Sequence, residues 1–168
     1  MEERVRKEVQ AWSADASDAL ESLGALPYTA ALFQEVLRLY PPAWGFSRRA
    51  VADDIINGFH VPAGARVMLS PYVTQRSARY WTDPDRFDPT RFLLERRKEQ
   101  EKFAHFPFGG GPRQCIGRDF ALIEAQLVIA LLTSRYRWKL IDTDPIRPSA
   151  SGTLRPGRKL LAHLVPRN

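Results

Sequence analysis

The sequence predicts a mainly α protein with short β hairpins, an α+β fold. Apolar residues recur at helical spacing after Pro27 and again after Cys115, which predicts two long helices. Between these stretches, short apolar runs alternate with turn residues. Asn57-Gly58, set between two such runs, is a strong hairpin signal. Two helices that flank a strand-rich segment define the expected fold class.

The composition fits one cytoplasmic domain. A chain of 168 residues with 44% hydrophobic residues is long enough to bury a core. Its single cysteine excludes an internal disulfide, which is typical of a reducing compartment. No apolar run is long enough to span a bilayer, and the charged residues 1–8 lack the apolar core of a signal peptide. We therefore expect a soluble cytoplasmic protein without a membrane span.

The net charge of +6 leaves the kind of partner open. Basic chains can bind nucleic acid, but the arginines are scattered and no nucleic-acid motif is present, so we expect no nucleic-acid partner. A docking face for an acidic protein and a merely solvated basic surface are both compatible with this charge.

Three helices are predicted in the first 42 residues. A charged helix covers roughly Glu2 to Trp12, and a short one covers Asp15 to Leu23 and ends at Gly24. The third begins at Pro27 and ends before Pro41-Pro42, because proline cannot continue a helix. Its predicted apolar face consists of Ala30, Phe33, Val36, Leu37 and Tyr40.

A possible ion pair lies within this third helix. Glu35 and Arg38 are three residues apart and therefore share one face. Without further information, a surface pair worth a few tenths of a kcal/mol is the simplest interpretation.

Strands follow the third helix. We predict extended structure at Trp44 to Val51, a hairpin of Ile55-Ile56 and Phe59 to Val61, and continuation of the same sheet at Arg66 to Leu69. Ser70 is then expected to cap a short helix that begins at Pro71.

The segment up to the cysteine is predicted to be irregular. Asp83-Pro84 and Asp88-Pro89 repeat the cap-and-proline pattern over two short turns. The charged stretch from Leu93 to Lys102 is expected to be a solvated helix or loop. After the cysteine, a helix is predicted from Ile116 to about Tyr136, followed by a terminal strand pair. Its expected core stripe is Phe120, Ile123, Leu127, Ala130 and Leu131, and the strands are Lys139 to Ile141 and Leu160 to Val165.

The stretch from Phe108 to Gly117 carries the chemistry. Gly109 to Gly111 allow close approach of a flat partner, because glycine has no Cβ. Cys115 lies where a loop meets a helix N-terminus, whose free N–H groups and dipole favour a thiolate, and Arg113 adds a positive charge.

Four interpretations of this loop compete. A phosphate cradle lacks the Gly-Lys-Ser/Thr ending. A catalytic cysteine needs a base, and His60, His105 and His163 lie at no recognisable spacing. An inert buried cysteine leaves the glycines and the arginine unexplained. The fourth interpretation is ligation of haem iron by the Cys115 thiolate.

The loop resembles the cytochrome P-450 family. Its F-x-x-G-x-R-x-C-x-G signature is matched at Phe108, Gly111, Arg113, Cys115 and Gly117. Two further motifs agree, because the family's E-x-x-R and P-x-R-F patterns are matched at Glu35, Arg38 and Arg91.

The resemblance implies roles for the matched residues, and Gly117 is expected to be one of those that bind the cofactor. Cys115 is expected to be the axial haem ligand, with Phe108 packed near its sulfur. Arg113 matches a position that pairs with a haem propionate, and so does Arg48, although Arg49 is an alternative. Glu35, Arg38 and Arg91 are expected to form a buried structural network rather than a catalytic group.

The implied activity is haem-dependent monooxygenation of a small organic substrate. Electrons are expected from a ferredoxin, a flavodoxin or an NADPH reductase that docks on the basic proximal face. Residues 1–168 match only the C-terminal, proximal part of the family's single domain, and no A/G-G-x-D/E-T stretch is present. A non-enzymatic haem-binding fragment is therefore the alternative, and a chain that holds no haem is the third possibility.

Overall fold

The computed structural model describes residues 1–10, 12, 21–141 and 144–167. Within them, five α-helices alternate with short strands and 3₁₀ turns. The helices are α1 (Glu2–Gln10), α2 (Pro27–Leu39), α3 (Pro71–Thr74), α4 (Leu94–Arg97) and α5 (Arg118–Arg135). The strands are β1 (Phe46–Arg49), β2 (Asp54–Ile56), β3 (Phe59–Val61), β4 (Arg66–Leu69), β5 (Tyr136–Leu140), β6 (Pro148–Ala150), β7 (Leu154–Pro156) and β8 (Ala162–Pro166).

The predicted mainly α fold with short hairpins is confirmed. The strands of the described residues form four two-stranded antiparallel sheets: β1–β4, β2–β3, β5–β8 and β6–β7. The expected terminal strand pair is present as β5 and β8, in which Trp138 faces Leu164. The β6–β7 hairpin was not predicted. No helix among the described residues is both long and apolar enough to cross a bilayer.

Helix α2 lies between two apolar clusters. Val5 and Val9 of α1 pack with Tyr28 of α2 and Ala130 of α5 in the first. Ala31 joins the second, which is formed with Trp81, Phe92 and Ala104 from the segment that leads to the cysteine. The helix therefore connects the helical layer to the cysteine-bearing part of the chain.

The predicted apolar face of α2 is wrong in most of its members. Leu37 is buried, but Ala30, Phe33 and Val36 are only partly buried and Tyr40 is 47% exposed. The helix buries another face instead, along Tyr28, Ala31, Glu35 and Arg38. Glu35 and Arg38 can be buried there because they pair with each other, whereas Val36 and Tyr40 line one groove and Phe33 lines another.

Two free backbone N–H groups in the first turn of α2 find a hydrogen-bond acceptor in Glu8, a residue that the sequence did not single out. The Glu8 carboxylate accepts hydrogen bonds from the Tyr28 N–H at 2.7 Å and from the Thr29 N–H at 2.8 Å. The Thr29 hydroxyl donates to the same carboxylate. An anion at this position also interacts favourably with the helix dipole, so α1 holds the start of α2.

The central hairpin is confirmed, but its relation to the next strand is not. Asn57 and Gly58 have φ of 52° and 85°, the left-handed pair that a tight hairpin turn requires. Strand β4 does not extend this hairpin. It pairs with β1 instead, and Phe46 lies opposite Leu69. The hairpin is thus inserted between the two strands of a separate sheet.

Helix α5 buries less of its predicted stripe than expected. It begins at Arg118 rather than Ile116, and Phe120 is 72% exposed and Ile123 is also exposed. Ala130 is fully buried, and Leu127 and Leu131 pack against α1 and α2. The predicted stripe is therefore wrong in the first two turns of α5 and correct in the later ones.

The predictions for α3 and for the charged segment are confirmed, but the predicted helix stop at Gly24 is wrong. Ser70 caps α3 by accepting from the Val73 N–H, and the charged segment around α4 is exposed. The predicted helix from Asp15 to Leu23 falls partly on residues 13–20, outside the described residues. Its end lies in a 3₁₀ helix, Glu21–Ala25, which continues across Gly24.

Candidate functional site

A buried ion pair anchors the segment that leads to the cysteine. Glu35 and Arg38 have no exposed side-chain surface. Two parallel hydrogen bonds join them, from Arg38 Nε to Glu35 Oε2 at 2.6 Å and from Arg38 Nη2 to Glu35 Oε1 at 2.9 Å. This bidentate geometry gives the strongest form of such a pair. The surface interpretation of this pair does not hold.

Arg38 uses its remaining donors on backbone carbonyls far along the chain. Its Nη1 donates to the carbonyl oxygens of Gln75 at 2.8 Å and Pro84 at 2.7 Å, and its Nη2 donates to that of Arg86 at 3.2 Å. One guanidinium therefore fixes the irregular segment against α2. Because each donor finds an acceptor, the charge can be buried.

Arg91 is the third charged member of the network. Its Nε lies 3.6 Å from Glu35 Oε1, and its Nη2 donates to the Asp83 carbonyl at 2.9 Å. Burial lowers the pKa of Arg91, and the Glu35 carboxylate opposes that shift. The Asp88 N–H also donates to Glu35 Oε1, at 2.7 Å. The structure thus brings Arg38 and Arg91 together around the Glu35 carboxylate.

Asp88 holds the turn that carries Arg91. Burial by itself raises the pKa of Asp88, but hydrogen bonds from the Thr90 hydroxyl and N–H and from Arg96 outweigh it, and the net pKa is lowered. The carboxylate caps the 3₁₀ helix Pro89–Phe92 through the Thr90 N–H. The cap keeps Arg91 facing α2.

Gln75 joins this network to the cysteine loop, and sequence analysis missed it. Its side chain is fully buried. The amide Nε2 donates to the carbonyls of Leu37 and Arg38, both at 3.0 Å, and Oε1 accepts from the Phe106 N–H at 2.9 Å. No sequence motif marks this residue, because its bonds reach 31 to 38 residues along the chain.

The cysteine loop is shaped by its glycines. Gly109 and Gly111 have φ of 73° and 69°, a conformation that side-chain-bearing residues rarely adopt. The Cys115 N–H donates to the Phe108 carbonyl at 3.0 Å, which closes the loop. These contacts place Cys115 three residues before the start of α5.

Cys115 is exposed, so the interpretation as an inert buried cysteine is wrong. It lines a groove of about 430 Å³. The walls are mostly apolar and come from α2, the turn after it, β1 and the loop itself: Phe33, Leu37, Pro42, Ala43, Phe46, Pro107, Phe108, Gly109 and Ala121. Arg48 and Arg113 also line this groove.

Of the residues that the resemblance assigns to haem binding, Cys115, Phe108, Arg113 and Arg48 line one groove, and Gly117 lies beside the sulfur. A Cβ added to Gly117 would lie 4.0 Å from the Cys115 sulfur, an ordinary contact distance. Arg48 lies over the Phe46 ring at 4.8 Å from its centroid. Arg49 instead donates from Nε to the Gly64 carbonyl at 3.3 Å. Of the two arginines, Arg48 is the one on the groove.

His105 lies behind the loop in an aromatic cluster. Its ring is 4.7 Å from that of Phe92 and 6.4 Å from that of Trp81, centroid to centroid. The residue keeps some surface exposure, but its Nε2 is buried without a hydrogen-bond partner in the described structure. Burial lowers the pKa of His105 from 6.5 to about 3, partly offset by a hydrogen bond with the Gln34 backbone.

We expect this buried imidazole to make stability depend on pH. The unfolded chain takes up a proton near pH 6.5 and the folded chain only near pH 3, so stability falls as pH falls below about 6.5. Between pH 7.5 and pH 5 the loss should be about 1–2 kcal/mol. Thermal unfolding of His105→Phe should lack this component, whereas His60→Gln, at an exposed histidine, should keep it. Equal pH profiles for wild type and His105→Phe would contradict the assignment.

Comparisons with known proteins identify the family. A family model described as Cytochrome P450 matches residues 1–162. The chain belongs to the cytochrome P450 family. Cyclooctatin synthase of Streptomyces melanosporofaciens is 42% identical over 132 residues, which is 79% of this chain and 29% of that protein. Thromboxane-A synthase of Sus scrofa is 32% identical over 144 residues, covering 84% of this chain and 27% of that protein.

Solved P450 structures share the fold. A retinoic acid-bound cyanobacterial CYP120A1 superimposes with a TM-score of 0.91 at 34% identity, covering 99% of this chain and 38% of that one. The haem domain of cytochrome P450DA gives a TM-score of 0.90 at 27% identity, covering 99% and 37%. The chain thus spans 29% to 30% of the length of the first curated relatives it matches.

The groove fits the haem that the P450 family implies. Haem has apolar faces, charged propionates and an iron that takes an axial ligand. The groove offers apolar walls, two arginines and an accessible thiol, and its volume of about 430 Å³ lies in the usual range for ligand sites. The donor set of this P450 chain is therefore chemically suited to the group.

Proposed function

We propose that this chain supplies the haem-binding part of a cytochrome P450 monooxygenase, in which Cys115 would supply the thiolate that binds the iron. The observation that carries the proposal is the single groove that brings Cys115, apolar walls, Arg48 and Arg113 together. Neither a phosphate cradle nor a nucleophile explains the apolar walls. Both explain less of the loop than haem does.

Each groove residue has a distinct part in holding the group. Cys115 lies three residues before α5, is exposed to the groove, and would supply the thiolate that binds the iron. Phe108 lines the groove and its carbonyl accepts from the Cys115 N–H, so it limits how far the sulfur can move. Arg48 and Arg113 are the cations available to pair with propionates.

When bound, thiolate-ligated haem supplies oxygen activation, by which one atom of O₂ enters an organic substrate. The protein's own contribution on this face is positional. The Glu35–Arg38–Arg91 network and Gln75 hold the segment before the loop against α2. The apolar walls exclude water from the face beside the sulfur.

The partners follow from the same proposal. The net charge of +6 suits an acidic electron donor such as a ferredoxin, a flavodoxin or an NADPH reductase, docking on the face that carries the cysteine loop. The substrate is a small organic molecule. One relative is named as a monooxygenase, the cyclooctat-9-en-7-ol 5-monooxygenase of Streptomyces melanosporofaciens, 39% identical over 137 residues.

A second candidate function is haem binding without substrate turnover. It requires only what the groove itself supplies, namely the Cys115 thiol, the apolar walls, and the two arginines Arg48 and Arg113. The two functions share the ligand and differ only in the fate of the electrons.

The absorption spectrum of the haem-loaded chain, recorded after reduction and addition of carbon monoxide, tests the proposal. Thiolate ligation gives the red-shifted band of the family, and a displaced or protonated cysteine gives the ordinary haem band. Absence of the red-shifted band would overturn the proposal. A second assay supplies NADPH, a reductase pair and organic substrates. Oxygenated product formed in proportion to the NADPH consumed supports the monooxygenase, while hydrogen peroxide without oxygenated product supports the second candidate.

A further inference from the structure

We infer that Gln75 is the positioning residue of the cysteine loop. It couples the C-terminal end of α2 to the backbone that enters the loop and holds that backbone in place before haem binds. The inference rests on the proposed function, because it concerns how the same Cys115 site is held.

One end of the Gln75 amide is fixed by α2. The carbonyls of a helix's last turn have no partner within the helix and must find one elsewhere. Gln75 Nε2 donates to two of them, Leu37 and Arg38, at 3.0 Å each. Arg38 Nη1 returns a hydrogen bond to the Gln75 carbonyl at 2.8 Å, so the backbone and the side chain of Gln75 are both tied to α2.

The other end is fixed on the approach to the loop. Gln75 Oε1 accepts from the Phe106 N–H at 2.9 Å. Phe106 lies two residues before Phe108, whose carbonyl accepts from the Cys115 N–H. The Phe106 ring also meets Phe46, a wall of the groove, edge-on at 6.3 Å between centroids. A shift of the Gln75 amide would therefore disturb both the Phe46 wall of the groove and the Phe108 backbone to which the Cys115 N–H is hydrogen-bonded.

The bridge has little freedom to move. Gln75 is fully buried, both of its amide donors and its acceptor oxygen are engaged, and a buried amide that loses its partners is costly. Gln75 acts on Cys115 through the backbone of Phe106 and Phe108, and groups that support a metal ligand without touching the metal commonly affect metal affinity when they are changed.

Gln126 provides a matched control. Its Nε2 also donates to two backbone carbonyls, those of Leu23 at 2.9 Å and Leu26 at 3.1 Å. These carbonyls precede α2, at the end opposite the Gln75 contacts. Methionine at position 75 or 126 keeps the length of the side chain and removes the amide.

The experiment compares haem binding by Gln75→Met, Gln126→Met and wild type at a temperature where all three are folded. Both variants should unfold at lower temperature than wild type. Only Gln75→Met should bind haem roughly tenfold more weakly, as expected when support of a metal ligand is lost. Only in this variant should part of the absorption of the reduced, carbon monoxide-bound haem shift from the red-shifted band to the ordinary haem band. Equal haem affinity and equal spectra in Gln75→Met and Gln126→Met would overturn the inference.

Amide hydrogen exchange on the haem-free wild-type chain gives a second test that does not require a folded variant. If Gln75 holds the loop entrance in advance, the Phe106 N–H should exchange slowly, as buried hydrogen-bonded amides do. Exchange as fast as in the exposed α4 segment would contradict the inference. Failure of the proposed function would look different, because wild type itself would then give no red-shifted band.

Discussion

Glu35→Ala should destabilise the fold by about 3–5 kcal/mol, because it leaves two guanidiniums buried without their carboxylate. Arg38 has no exposed side-chain surface, and that of Arg91 is 7% exposed. Arg91 Nε already has no hydrogen-bond partner in the described structure and depends on Glu35 for its charge balance. The substitution also leaves the Asp88 N–H without the Glu35 carboxylate oxygen that accepts its hydrogen bond. A change of this size is a large share of the stability of a typical domain.

Thermal or denaturant unfolding of Glu35→Ala measures the effect. Glu3→Ala is the matched control, since Glu3 and Arg6 form an ion pair of the same three-residue spacing on the exposed surface of α1. The control should unfold as wild type does, because exposed pairs are screened by solvent. If Glu35→Ala and Glu3→Ala unfold alike, the Glu35 network does not contribute as its burial indicates.

The same network shows why the face of α2 could not be predicted. Apolar periodicity assumes that charged side chains face solvent, so it assigned Phe33, Val36 and Tyr40 to the core. Glu35 and Arg38 are buried instead because carbonyls 37 to 48 residues further along the chain accept from Arg38. These acceptors come from irregular backbone and leave no residue pattern in the sequence.

Elements with local causes were predictable. Proline and glycine set the start of α2 and the turn at Asn57-Gly58, and Ser70 caps α3. The fixed spacing from Phe108 to Gly117 located the cysteine loop and led to the family. In contrast, the pairing of β4 with β1, rather than with the hairpin beside it, depends on long-range packing. The β6–β7 hairpin escaped prediction because both strands are three residues long and contain proline.

Gln75 and Glu8 were missed for a related reason. Glu8 is one polar residue of a charged helix and Gln75 directly follows a short one, and nothing in their neighbourhoods distinguishes them from solvated side chains. Their importance lies in backbone groups that they bind 20 to 38 residues away. Local spacing identifies the residue that carries the chemistry here, but it does not identify the residues that hold it.

Cys115→Ala should abolish the red-shifted absorption band that the reduced, haem-loaded chain gives with carbon monoxide. Cys115 is the one cysteine of the sequence, so no other thiolate can replace it. Its sulfur is also the thiol that lines the groove with Arg48 and Arg113. Removing it leaves the apolar walls and both arginines in place. We therefore expect haem to bind more weakly, and any haem that remains bound should give the ordinary band.

Two further variants separate ligation from packing. Cys115→Ser keeps the size of the side chain but replaces the sulfur by a hydroxyl oxygen, which cannot act as a thiolate ligand. It should lose the red-shifted band as Cys115→Ala does. Ile116→Ala, at the fully exposed neighbour, should keep the band unchanged. Retention of the band in either cysteine variant would remove Cys115 as the ligand, since the position of that band reports a thiolate bound to the iron.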